Sequence, residues 1–110
     1  MSDLKQNIIS VLDEKQAINL VLIDFEGKSS LMDYFILATA GNIRQMDALR
    51  DAILKYCKEQ EIEVRSIQGR ALTGWILIDL NDIVVHIFDQ ITRDQFQLEK
   101  LWSNMKVVPY

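Results

Sequence analysis

Two apolar runs, Trp75–Leu80 and Ile83–Phe88, are separated only by Asn81-Asp82. Runs rich in β-branched, aliphatic and aromatic residues around a two-residue polar link predict a tight β-hairpin. So short a link also fixes the register. Leu80 falls opposite Ile83, Asp79 opposite Val84, Ile78 opposite Val85, Leu77 opposite His86, Ile76 opposite Ile87 and Trp75 opposite Phe88. Side chains alternate across a sheet, so the hairpin has two unlike faces. Ile76, Ile78, Leu80, Ile83, Val85 and Ile87 form a wholly aliphatic face that belongs against a layer of helices. Trp75, Leu77, Asp79, Val84, His86 and Phe88 form the other. A face that mixes aromatics, an acid and the chain's single histidine is either a second, imperfect core under another helix or a recognition surface. Tryptophan is over-represented at binding hot spots, which makes Trp75 the leading contact residue. Leu80 ends its strand beside the turn, where its side chain is expected to reach the rim.

The rest of the chain supplies the layers around this hairpin. Ser2 to Glu14 reads as a helix capped by Ser2, with Leu4, Ile8, Val11 and Leu12 on one face. Asn19–Phe25, around Leu20-Val21-Leu22-Ile23, reads as a strand buried on both faces. Glu26–Ser30 is a turn cluster, and Asp33–Ala40 a second strand that Gly41 ends. Asn42 followed by Gln45 is a capping-box pattern. It opens a helix to about Gln60, with Met46, Leu49, Ile53 and Tyr56 or Cys57 on one stripe. Ile62, Val64 and Ile67 predict a third strand, Gln68–Gly74 a loop, Ile91–Trp102 a last helix and residues 103–110 a tail. The order α-β-β-α-β-β-β-α predicts one α/β domain over residues 1–110, a mixed sheet flanked by helices. On the last helix Ile91, Leu98 and Trp102 share a stripe and Phe96 lies opposite. That makes Phe96 a second half for a docking patch with Trp75.

Composition excludes several classes. At 110 residues the chain can bury about two-thirds of its surface, enough for a core without staples. The lone Cys57 excludes an internal disulfide and is most simply a small core residue. The net charge is −4 and the basic residues are scattered. Phosphate-driven binding needs a clustered basic face, so little direct nucleic-acid contact is expected, whereas a basic protein partner suits the charge. No stretch reaches membrane-spanning length and the N-terminus does not read as a signal peptide, so a cytoplasmic protein is expected. The four glycines are too far apart for a phosphate loop. Asp33, Asp79 and Asp82 form no Asp-x-Asp pair for magnesium, and His86 has no sequence-local triad partner. No catalytic residue, metal site or cofactor is expected. Two other readings stay open: a divergent nucleotidyltransferase-like enzyme using Asp33, Asp79 or His86, and a homo-oligomeric structural domain whose mixed face is a self-interface.

Several stretches carry a family resemblance. Ile23-Asp24-x-x-Gly27-Lys28-Ser29-Ser30-x-x-Asp33-Tyr34-Phe35 resembles the first signature of the Iojap-like ribosomal silencing factors, and Gly41-x-x-Arg44-Gln45 continues it. The run from Trp75 to Phe88 resembles the second signature, and Leu98-Glu99-Lys100-Leu101-Trp102-Ser103 its C-terminal end. The resemblance implies a nucleotidyltransferase-like fold without an active site. It implies a protein that binds the large ribosomal subunit through ribosomal protein L-fourteen, blocks joining of the small subunit and represses translation when nutrients run short. The family's binding aromatics and apolar rim fall on Trp75, Leu80 and Phe96, with Leu77, Asp79, His86 and Phe88 around them. A homodimer of the free protein is compatible with such a surface. The chain departs from the family pattern at Phe96, where tyrosine is usual, at Gly74, where an acid is frequent, and at Asn81, in place of a turn glycine.

Overall fold

The computed structural model describes residues 3–110. The hairpin forms with the expected register: β4 (Trp75–Asp79) pairs antiparallel with β5 (Ile83–Asp89), Trp75 opposite Phe88 and Leu77 opposite His86. Asn81 takes the positive φ of +80° that so tight a link requires. Around it lie α1 (Leu4–Glu14), β1 (Ile18–Asp24), β2 (Tyr34–Ala40), α2 (Ile43–Glu59), β3 (Ser66–Arg70), a single 3-10 turn (Ala71–Thr73), α3 (Gln90–Phe96), α4 (Leu98–Leu101) and β6 (Lys106–Pro109). The six strands form one sheet in the order β3-β4-β5-β2-β1-β6. β2 and β5 run parallel at its centre and every other pair is antiparallel, so the sheet is mixed. None of the helices described is long and apolar enough to cross a membrane.

The aliphatic face of the hairpin lies under α1 and α2. Ile76, Ile78, Val85 and Ile87 are buried there with Ile36 and Ala38 of β2, against Ile8 and Leu12 of α1 and Met46, Leu49 and Ile53 of α2. Asn42 caps α2, its side-chain oxygen accepting from the Gln45 backbone N–H at 2.7 Å. Gln45 reaches back one residue further than a capping box requires, to the Gly41 N–H at 2.6 Å. Its amide also donates to the Gln16 carbonyl at 2.9 Å, tying the start of α2 to the end of α1. The opposite face carries a smaller core of Ile23, Phe25, Leu37 and Phe88, with Phe35, Trp75, Leu98, Trp102 and Met105 packed against it.

Four expectations are corrected. Ser2, the expected cap of α1, lies outside the described residues, and Asp3 holds the N-cap position. The third strand starts at Ser66 rather than near Ile62, and takes in Gln68, Gly69 and Arg70. Ile62 and Val64 instead pack on the main core from an irregular segment. The last helix is two helices, broken at Gln97, whose φ of +45° is left-handed. Its presumed apolar stripe therefore fails, and Ile91 is 73% exposed. The inward face of α3 is polar: Asp89 caps it by accepting from Thr92 N at 2.7 Å, and Arg93 lies buried beneath it. Finally, residues 103–110 are not a loose tail. β6 pairs with β1, Val107 opposite Ile23, and the Tyr110 N–H donates to the Leu20 carbonyl at 2.8 Å.

Candidate docking surface

Trp75 follows a glycine that sets its place. Gly74 adopts a φ of +81°, and a Cβ there would overlap the Thr92 hydroxyl and the Asp89 carboxylate. Only glycine lets the start of β4 press so closely against the first turn of α3. The Asp89 N–H donates to the Gly74 carbonyl at 3.0 Å and locks the two together. As a result the last residue of α3, Phe96, lies beside the indole of Trp75, ring centroids 4.7 Å apart and inclined by 49°. Phe96 is 52% exposed. The two aromatics, with Leu77, Gln68, Thr73 and Gln95, line a groove of about 390 Å³ between the β3–β4 edge and α3. No charged side chain lines it. Docking there removes apolar surface from water without desolvating an ion.

α3 is held down by a buried cation. Arg93 Nη1 donates to Thr39 Oγ1 at 2.8 Å, and its Nε pairs with Glu99 of α4 at 3.3 Å. The guanidinium thus fixes both short helices to β2, and with them the position of Phe96.

Beneath Trp75 lies His86, 4% exposed. The indole Nε1–H donates to its Nδ1 at 3.1 Å. Burial pushes the imidazole pKa down from 6.5 to about 4, so the ring is neutral at pH 7. Phe35 meets it edge-on at 4.6 Å and Phe88 lies parallel to it at 5.9 Å.

The structure therefore brings together Trp75, Leu77 and Phe96 at the groove, sets His86 and Phe88 beneath Trp75, and places Leu80 and Asp79 elsewhere. Leu80 is only 5% exposed and packs in the aliphatic core, because strand alternation points it to the opposite face. His86 and Phe88 are buried under Trp75 and support the surface rather than form it. Asp79 is four residues along β4 from Trp75, about 13 Å at the usual strand rise. Its carboxylate accepts from the Asn81 N–H at 2.8 Å and serves the turn. Gln68 and Thr73 of the groove wall escaped the sequence reading because their stretch reads as a loop. Gly69, which bears no side chain where one would overlap the Trp75 carbonyl, was the available signal of close strand packing.

Asp33 and Asp82 meet through their backbones, Asp33 N donating to Asp82 O at 2.7 Å, while both side chains are exposed. His86 faces an indole rather than a carboxylate or hydroxyl. Among the described residues no three His, Cys, Asp or Glu side chains converge in a way that could hold a metal ion.

Comparison with known proteins places the chain in a family. The family described as "Ribosomal silencing factor during starvation" matches residues 1–109. The chain is 33% identical over 106 residues to the ribosomal silencing factor of Halalkalibacterium halodurans, covering 96% of this chain and 91% of that one. It is 26% identical to the mouse protein named mitochondrial assembly of ribosomal large subunit protein 1, over 87% of this chain but 43% of the mouse protein. A crystal structure from Bacillus halodurans superposes with a TM-score of 0.82 at 33% identity, over 96% of this chain and 95% of that one. The chain belongs to the ribosomal silencing factor family.

Proposed function

We propose that this protein represses translation from the cytoplasm by docking on the large ribosomal subunit through the Trp75–Phe96 groove. Ribosomal protein L-fourteen is the contact, and the docked protein stands where the small subunit would join. The observation that carries this reading is the half-buried Trp75 and the exposed Phe96, 4.7 Å apart beside an uncharged groove. The sequence family and the large-subunit name of the mouse relative support the ribosome as its destination. With a net charge of −4 the domain is repelled by RNA phosphate. A basic ribosomal protein is the landing site that such a charge tolerates, and apolar anchors then supply affinity. A domain this small need not match the area of the intersubunit contact. Two mutually exclusive bound states compete by mass action, so occupying part of the surface is enough.

Sedimentation of purified subunits through sucrose tests the proposal. The protein should travel with the large subunit alone and reduce joined particles when added before mixing. Trp75→Ala and Phe96→Ala should each weaken large-subunit binding by about thirtyfold, the effect of losing a hot-spot aromatic worth about 2 kcal/mol. Association with the small subunit alone, or full-strength binding by both variants, would overturn it.

A further inference from the structure

The hydrogen bond under the groove has a chemical direction. An indole N–H can only donate, so the Trp75–His86 contact at 3.1 Å requires a bare lone pair on Nδ1. The imidazole proton then sits on Nε2. That atom is buried and has no hydrogen-bond partner among the described residues. A buried N–H left unpaired is destabilising, and a leucine in the same place would avoid it. Packing alone therefore does not call for histidine here. What the imidazole adds that an apolar side chain cannot is an acceptor aimed at the indole.

We propose that His86 is a positioning residue for docking: its Nδ1 sets the rotation of the Trp75 indole so that the ring presents one fixed edge to the groove. The inference rests on the docking role of Trp75. The indole is half-buried at the first residue of β4, with Phe88 at 5.0 Å and Phe96 at 4.7 Å, both rings tilted to it. Stacking contacts of that kind are tolerant of a half-turn of the ring about its bond to Cβ. The hydrogen bond is not, because the half-turn carries Nε1 away from His86. Without the acceptor the N–H would seek water at the groove, and the bulky six-membered ring would swing inward. Holding the ring in one orientation before the partner arrives removes an ordering cost from binding.

NMR on the nitrogen-labelled full chain, paired with large-subunit binding, tests this. The Trp75 indole signal is the one that Trp75→Phe removes, leaving that of Trp102. In the unmodified protein the His86 ring nitrogens should report the Nε2–H form, and the Trp75 indole proton should exchange slowly with water. His86→Leu should melt no lower than the parent, exchange its indole proton freely and bind the large subunit about tenfold more weakly. His86→Asn places an amide oxygen near the position of Nδ1, and should restore slow exchange and most of the binding. An Nδ1–H form in the unmodified protein overturns the inference even where a variant does not fold. So does full binding by His86→Leu while Trp75→Ala binds weakly. Full binding by Trp75→Ala instead removes the docking role of Trp75 itself, whatever the indole signal shows.

Discussion

One face of the sheet is aliphatic and closed, and the other is aromatic, polar in places and open at one end. Over the first, two helices of 11 and 17 residues lay regular stripes onto Ile36, Ile76, Ile78, Val85 and Ile87. Over the second, α3 and α4 have seven and four residues, and the side chains fixing them are Asp89, Arg93 and Glu99. Short helices bury too little apolar surface to hold themselves by the hydrophobic effect alone, so directional contacts take over. The comparison shows how a small domain separates folding from recognition. The closed face carries the stability, and the open face can afford exposed aromatics because little of the fold depends on them.

The strongest way to break this division is to truncate the closed face. Ile78→Ala should cost about 2–5 kcal/mol through lost burial and the cavity left behind. Phe96→Ala on the open face should cost less than about 1 kcal/mol, the ring being half exposed. Thermal or urea unfolding of the pair measures both. Equal losses would mean that Phe96 is a packing residue and the two faces are not distinct in their roles.

Acid probes the open face through His86. The unfolded chain takes up a proton on His86 near pH 6.5, whereas the folded chain resists until about pH 4. Between those values the unfolded state binds more protons, so stability is complete above about pH 6.5 and declines as the pH falls toward 4. The loss amounts to about 3 kcal/mol and does not deepen further below that point. Subtracting the pH–stability curve of His86→Leu from that of the parent isolates this contribution from the carboxylates. A flat difference would show that burial does not hold the imidazole neutral.

The smallest effect sharpens the picture of the groove. Phe96→Tyr adds a hydroxyl at the ring edge. Its unfolding free energy should stay within about 0.5 kcal/mol of the parent, because the ring edge meets solvent. Large-subunit binding should tighten by no more than about tenfold, the worth of one hydrogen bond. Titration of the two forms side by side against purified large subunits reads the difference, and weaker binding would place the ring edge against an apolar partner surface.

The two faces were not equally legible in the sequence. On the closed face, periodicity is strict: Met46, Leu49, Ile53 and Cys57 follow the helical repeat and all are buried. The hairpin register was equally accessible, because a two-residue link leaves no freedom to slip. The open face depends on contacts between distant residues, which no local window contains. Gln97 breaks the last helix by a left-handed φ that a glutamine does not advertise. Arg93 looks like a solvent-facing arginine until Thr39, 54 positions earlier, is placed beneath it. Residues 106–109 form a strand only because the edge of β1 is there to receive them. Trp75 and Phe96 could be suspected separately from their faces, but their contact rests on the positive φ of Gly74 and the close approach to Thr92 that it permits.

The parallel pairing of β2 with β5 joins Tyr34 to Ile83, 49 positions apart in the chain. Closing a loop of that length costs entropy that is paid before its contacts reward it, so pairing of this kind is slow. Arg93 meets Thr39 on β2, so the support under Phe96 exists only after this central pair has zipped, whereas Trp75 finds His86 and Phe88 within the hairpin itself. A chain with its helices and hairpin made, but its centre still open, would carry Trp75 without Phe96 anchored beside it. On the proposed docking role, binding to the large subunit would need the finished central pair, and a half-folded chain would leave the subunit alone.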